Sequence, residues 1–315
     1  MDSLRGLAVS LVVLHHAAGI PRVLQVGGDL SLPSWDAFVS LFAAFRMPML
    51  LAMSGMLLAN SVHKPLSSFA SGKLRRVLWP YVVWTLVTLA CLGELSSATR
   101  PQTWIVGPYH MWFLAVLLCC YPIAWFTRWI PAWVMVLGML GVLMVADPST
   151  NWIRRVLFFG AMFMLGVAVR RHLTSILTMP VWIVGVAGLV GVVIACSHAF
   201  GWGIPMVDQR QVWTWLLPWA GVFTVIWLWS RAPRMPALEW LGQKSIVLYC
   251  VHFPAQALSA LAFQEVAESA PWPFLLIQIT VGFAVPALFL WGYRFTGLLF
   301  EFPQFAAHKR NEVRR

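Results

Sequence analysis

Asp2-Ser-Leu-Arg5-Gly-Leu-Ala-Val-Ser-Leu-Val-Val-Leu-His15-His16-Ala17 opens the chain as an apolar run carrying one arginine near its start and a histidine pair deep inside it. At about 100° per residue, eleven positions make three turns plus about 20°, so Arg5 and His16 share one helix face, roughly 16 Å apart along the axis. His15 points elsewhere. In a membrane helix Arg5 lies at the surface and His16 about halfway across the hydrocarbon, where an ionisable side chain is costly and marks a functional position. The plainer reading is a histidine that hydrogen-bonds a neighbouring helix. A cleaved secretory signal is disfavoured, because a signal's apolar region does not carry a histidine pair.

The remaining composition agrees with a membrane reading. Hydrophobic residues make up 60% of the 315 positions and charged residues only 10%, which places the chain among polytopic membrane proteins. Its five cysteines, Cys91, Cys119, Cys120, Cys196 and Cys250, fall in apolar runs without metal-ligand spacing. The net charge of +11 comes from short basic clusters between apolar runs, the pattern of cytoplasmic loops rather than of nucleic-acid binding.

Apolar runs bounded by Pro, Gly and charge predict an all-α fold of about ten transmembrane helices. They cover Leu4 to Ile20, Ala37 to Asn60, Val77 to Leu92, Met111 to Phe126, Trp133 to Ala146, Val156 to Val169, Val181 to Phe200, Trp213 to Ser230, Ser245 to Phe263 and Phe274 to Trp291. The fifth and sixth are marginal in length, with Arg154 and Arg155 between them. With the amino terminus inside, the cytoplasmic ends hold Arg5, Lys64, Lys73, Arg75, Arg76, Arg128, Arg170, Arg171, Arg231, Arg234, Lys244, Arg294, Lys309, Arg310, Arg314 and Arg315. The other side holds Arg22, Arg100, Arg154, Arg155 and Arg210. This bias, with an even number of spans, predicts both termini cytoplasmic. Residues 1–300 read as one transmembrane domain and 301–315 as a basic cytoplasmic tail.

Three further constellations stand out. In Ser71-Gly-Lys73-Leu-Arg75-Arg76-Val-Leu-Trp79-Pro80-Tyr81, Lys73 and Arg76 are three apart and can grip one polyanion together. Arg5 lies on the same side of the membrane, so three cations at one mouth suit the phosphates of a coenzyme. Arg46 is the basic residue near the middle of an otherwise apolar span and must face the protein interior, water or an anion. No carboxylate lies deep in any span, and Asp36 or Asp29 is the nearest candidate partner. His110 and His252, at span ends, read singly as interfacial or core histidines. The histidines show no zinc spacing, so no metal is expected, and there is neither a nucleophile elbow nor a phosphate-cradling glycine loop.

Taken together these residues resemble acyltransferase family 3, integral-membrane enzymes that move acyl groups, often acetyl, from acyl-CoA to hydroxyl-bearing acceptors of bacterial surfaces. The resemblance rests on Asp2, Leu4, Arg5, Gly6 and His16; on Phe45 to Pro48 with Ser54-Gly55; and on Lys73 and Arg76 before Pro80-Tyr81. It continues through His110-x-Trp112-Phe-Leu and Ser245-x-x-x-Tyr249-x-x-His252-x-Pro254. Two departures are visible. Lys73 stands where the family more often has Arg, which weakens a bidentate phosphate grip, and Leu50-Leu51 replaces the aromatic pair that usually follows Met-Pro.

The resemblance implies a bacterial inner-membrane enzyme that transfers an acyl group, acetyl in the first instance, from acyl-CoA to a carbohydrate or lipid-linked glycan. Arg5, Lys73 and Arg76 would bind acyl-CoA. His16 would be the catalytic general base, with near-neutral titration suited to that task. Arg46, Ser54, His110, Trp112, Tyr249 and His252 would line the site, Arg46 or His252 stabilising the oxyanion. Partners are then acyl-CoA, the glycan acceptor and membrane lipid, with no nucleic acid. Direct transfer is favoured over a covalent intermediate. The alternative is a secondary transporter or permease using the intramembrane His and Arg as a proton or anion pathway; it predicts pseudo-repeated halves, which the sequence does not show.

Overall fold

The computed structural model describes residues 1–27, 30–59, 61–146, 150–202 and 216–303, and among these the chain is helical with no strand. Seven helices are long and apolar enough to cross a membrane: Asp2–Val23, Pro33–Leu58, Tyr109–Phe126, Asn151–Arg171, Val181–Ala199, Ser245–Ala262 and Pro271–Trp291. Two shorter apolar helices are Ala132–Ala146 and Pro218–Trp229. We label the elements used below α1 (Asp2–Val23), α2 (Pro33–Leu41), α3 (Ala43–Leu58), α4 (Leu66–Lys73), α5 (Trp79–Cys91), α6 (Pro101–Val106), α7 (Trp112–Phe126), α8 (Ala132–Ala146), α9 (Asn151–Arg171), α10 (Leu173–Leu177), α11 (Val181–Ala199), α12 (Leu216–Trp229), α13 (Pro236–Gln243), α14 (Ser245–Ala262), α15 (Gln264–Ser269) and α16 (Pro271–Trp291).

Three sequence expectations change. The sixth span starts at Asn151, so Arg154 and Arg155 lie inside α9 rather than between helices. The second span breaks at Phe42 into α2 and α3, which puts Arg46 in the first turn of α3. The third is preceded by a π-helical turn over Leu74–Leu78, closed by Trp79 N–H donating to the Leu74 carbonyl. Pro80 explains that turn: it lacks an N–H for the carbonyl four residues earlier and its ring crowds that position, and widening the helix relieves both. Asp29, Arg210, the start of the eighth span at Trp213 and the tail basic residues Lys309, Arg310, Arg314 and Arg315 lie outside the described residues.

Contacts sort the helix ends into two sides. Trp229 donates to Ser3, Trp125 to the Lys64 carbonyl, Arg231 to the Leu177 carbonyl, and Arg75 pairs with Glu301 at one end of the bundle. Arg22 pairs with Asp36, and Tyr109 with Glu94, at the other. Burial separates core from periphery: 67% of the apolar window of α14 and 61% of those of α1 and α9 are buried, against 11% for α11. Apolar residues left open on α11, such as Val186, Leu189 and Val193, suit a lipid-facing surface.

Glycines set the two tightest crossings. A Cβ at Gly55 would sit 1.9 Å from the Phe163 carbonyl oxygen, and one at Gly166 1.8 Å from that of Ala52, so α3 and α9 touch backbone to backbone. Small residues allow this approach in lipid, where packing rather than the hydrophobic effect holds helices together. Gly6 and Gly242 do the same for α1 and α13, at 2.0 Å from the Leu238 oxygen and 1.8 Å from the Asp2 oxygen. Gly55→Val should therefore destabilise the protein by on the order of 1–3 kcal/mol or more. Gly141→Val, with no atom within 4 Å of its Cβ position, should leave the detergent melting temperature near that of the parent; equal melting of the two variants would contradict the crossing.

Candidate active site

Close packing of α13 on the first turn of α1 leaves Arg5 facing inward. Its nearest carboxylate, Asp2, is 3.6 Å away, and its Nη2 is buried without a hydrogen-bond partner. Arg5 lines a cavity of about 570 Å³ that opens between α1, α3, α7 and α14 at the basic end of the bundle. Lys73 and Arg76 line the same cavity, as do Ser54, Ser68 and Tyr249.

The basic run divides its labour. Arg75 turns towards the chain's end, its Nη2 2.9 Å from Glu301 and its Nε donating to the Phe302 carbonyl. Arg76 reaches the same Glu301 oxygen at 3.1 Å but its side chain stays 68% exposed. Lys73 has no carboxylate within ion-pair distance among the described residues; its Nζ sits 4.0 Å from the centre of the Tyr121 ring. Burial, with Arg76 and Lys64 nearby, pulls the Lys73 ammonium down to about 8, because desolvation and like charges both disfavour the charged form. An arriving anion would favour the charged form and so offset them.

At the inner end of this cavity Tyr249 donates its hydroxyl to the His110 carbonyl. Beside it stand three histidines. His16 Nδ1 lies 2.8 Å from His252 Nε2, and His252 Nδ1 lies 2.9 Å from the Leu248 carbonyl oxygen. The His110 ring stacks on Phe253 with centroids 4.5 Å apart and lies 5.5 Å from His252.

The hydrogen-bond chain assigns the tautomers of two neutral rings. A carbonyl oxygen can only accept, so His252 Nδ1 carries a proton and its Nε2 carries a lone pair. That lone pair must accept from His16 Nδ1–H. His16 Nε2 is then left unprotonated, the form a general base requires. His252, with both nitrogens engaged, has no N–H left to donate to an oxyanion.

A family model described as an acyltransferase domain, Acyl_transf_3, matches residues 1–291. The chain belongs to acyltransferase family 3. No curated protein and no solved structure matches it. Membership makes it an integral-membrane acyltransferase, and the family gives no support to the permease alternative.

Within this acyltransferase the motif residues do not all meet. Arg5, Ser54, Lys73, Arg76 and Tyr249 share the cavity; His16, His110 and His252 form the cluster next to it. Trp112 lies in neither, its ring 4.8 Å from the Arg155 guanidinium and 4.9 Å from Phe159. His252 is fully buried on α14 rather than interfacial. Arg46 sits towards the far end of the bundle, where its Nη1 donates to the Val39 carbonyl. Asp36 is not its partner: both Asp36 oxygens are taken by Arg22, at 2.7 and 2.8 Å.

Sequence reasoning set His15 aside, yet His15 lines a second cavity together with Arg46. The signal was available, a second polar residue within an apolar span. What it faces depends on α2 and α11, which the first helix does not predict. Among the described residues no group of three histidine, cysteine or acidic side chains is placed to hold a metal ion.

Proposed function

We propose that this acyltransferase uses acyl-CoA, with Arg5, Lys73 and Arg76 binding its phosphates and the pantetheine arm running along the cavity to Tyr249. The carrying observation is that one cavity joins three cations at its mouth to the edge of the histidine cluster. His16 takes the proton of an acceptor hydroxyl as that oxygen attacks the thioester carbonyl. The carbon–sulfur bond then breaks and the departing thiolate takes the proton from the His16 imidazolium, leaving an ester and free CoA. The acceptor is a carbohydrate or lipid-linked glycan. On this reading the enzyme sits in the bacterial inner membrane, with the basic end and both termini in the cytoplasm.

Equilibrium binding of labelled acetyl-CoA to the purified protein tests the donor site. Arg5→Ala should weaken binding by roughly ten- to hundredfold, since a hydrogen bond to a charged group contributes about 1.5–3 kcal/mol. Arg76→Ala should cost less, because its exposed guanidinium is screened. Affinity should hold below about pH 8 and fall above it as Lys73 loses its proton; Lys73→Arg should flatten that dependence. Unchanged affinity in both arginine variants would reduce the basic mouth to a topology signal.

A further inference from the structure

The second cavity, about 310 Å³, lies at the end of the bundle opposite Arg5. Ala18, Gly19 and Ala43 are among its lining residues, small side chains that leave room for a ligand. His15, Arg46 and His198 project from its walls. The charges do not cancel. Asp36 is matched by Arg22, which also donates to the Leu30 carbonyl. Arg46 has no carboxylate within ion-pair distance among the described residues, and its one side-chain hydrogen bond goes to a backbone carbonyl through Nη1. A half-buried guanidinium that no carboxylate neutralises is chemically suited to receive an anion.

The cavity comes close to the histidine cluster through His15. His15 lines it, and the His15 ring centre is 5.4 Å from that of His16. A ligand held here approaches His16 from the side opposite the donor cavity.

We propose that this cavity binds the acceptor, and that the acceptor carries a carboxylate or phosphate near the hydroxyl to be acylated. Arg46 pairs with the anion while the imidazoles of His15 and His198 bond sugar hydroxyls. The volume lies at the small end of ligand sites, suited to one sugar unit rather than a longer segment. The acceptor role rests on the reading of the chain as an acyl-CoA-dependent enzyme; the anion site does not.

The test is ligand-observed NMR titration of the reconstituted protein with glucuronate, glucose 6-phosphate and glucose, alongside transfer of label from acetyl-CoA to each. Wild type should bind at least one anionic sugar about tenfold or more tightly than glucose, as expected for a single charged hydrogen-bonded contact. Which of the two is preferred tells carboxylate from phosphate. Arg46→Gln should abolish the preference and Arg46→Lys retain part of it, with acetyl-CoA affinity in each variant reporting an intact fold. No preference in wild type, or a preference that survives Arg46→Gln, overturns the proposal. A preference that depends on Arg46 without acetyl-CoA binding overturns the donor reading instead, and leaves the anion site standing.

Discussion

Replacing His16 with alanine lowers the turnover of acyl transfer by about 10²- to 10⁴-fold, the usual contribution of a positioned general base. On the proposed donor reading the acyl-CoA affinity stays near that of the parent, because Arg5 lies about 16 Å along α1 from His16 and His16 does not line the cavity that holds Arg5, Lys73 and Arg76. The substitution also leaves His252 Nε2 without its donor. Losing a partner in this way costs about 1–3 kcal/mol for a buried group, so the melting temperature falls while the protein remains folded. Single-turnover transfer from labelled acetyl-CoA separates the chemical step from binding. Transfer at the parental rate would remove His16 from the proton path and leave it as a packing residue on α1.

The second large effect is expected at a residue that does not touch substrate. His252→Leu removes the acceptor that holds His16 Nδ1–H, so His16 loses both its orientation and its tautomer. In hydrolytic triads an orienting partner of this kind is worth up to about 10⁴ in turnover. That partner is a charged carboxylate, whereas His252 is a neutral ring, and a loss of about 10² is expected here. Three readouts tell positioning from mere packing. Turnover should fall with little change in KM for acyl-CoA, the pH profile should move, and His252→Gln should recover at least tenfold over His252→Leu because its amide oxygen can accept the same proton. Equal turnover for the Leu and Gln variants would show that shape, not the hydrogen bond, matters at this position.

Helix identity was legible wherever Pro, Gly or charge bounds an apolar run. The span read as Ser245 to Phe263 is helical over Ser245–Ala262, and the span read as Trp133 to Ala146 over Ala132–Ala146. The reading failed where charge lies inside a helix. Arg154 and Arg155 look like a loop on hydropathy, yet both lie inside α9, where Arg155 lays its guanidinium on the Trp112 ring. The short α13 also escaped notice, since eight residues of mixed polarity are far too few to register as a membrane span. The Gly6 and Gly242 pair that seats it is visible only when two distant segments are brought together.

Local order along one helix was decided by the sequence alone: an eleven-residue spacing puts Arg5 and His16 on one face of α1, and no packing is needed to know it. The family, too, is written in short local motifs. Which atoms meet is a tertiary matter. His16 and His252 are 236 positions apart and share a 2.8 Å hydrogen bond, and only the packing of α14 against α1 makes one ring set the tautomer of the other. Arg46 follows the same logic. Its charge is plain in the sequence, but whether it is paired depends on Arg22 claiming Asp36 first, a competition between residues on different helices. Periodicity acts over a few residues, whereas hydrogen bonds and ion pairs act only at contact distance, so the contacts that tune this site wait for the bundle to close.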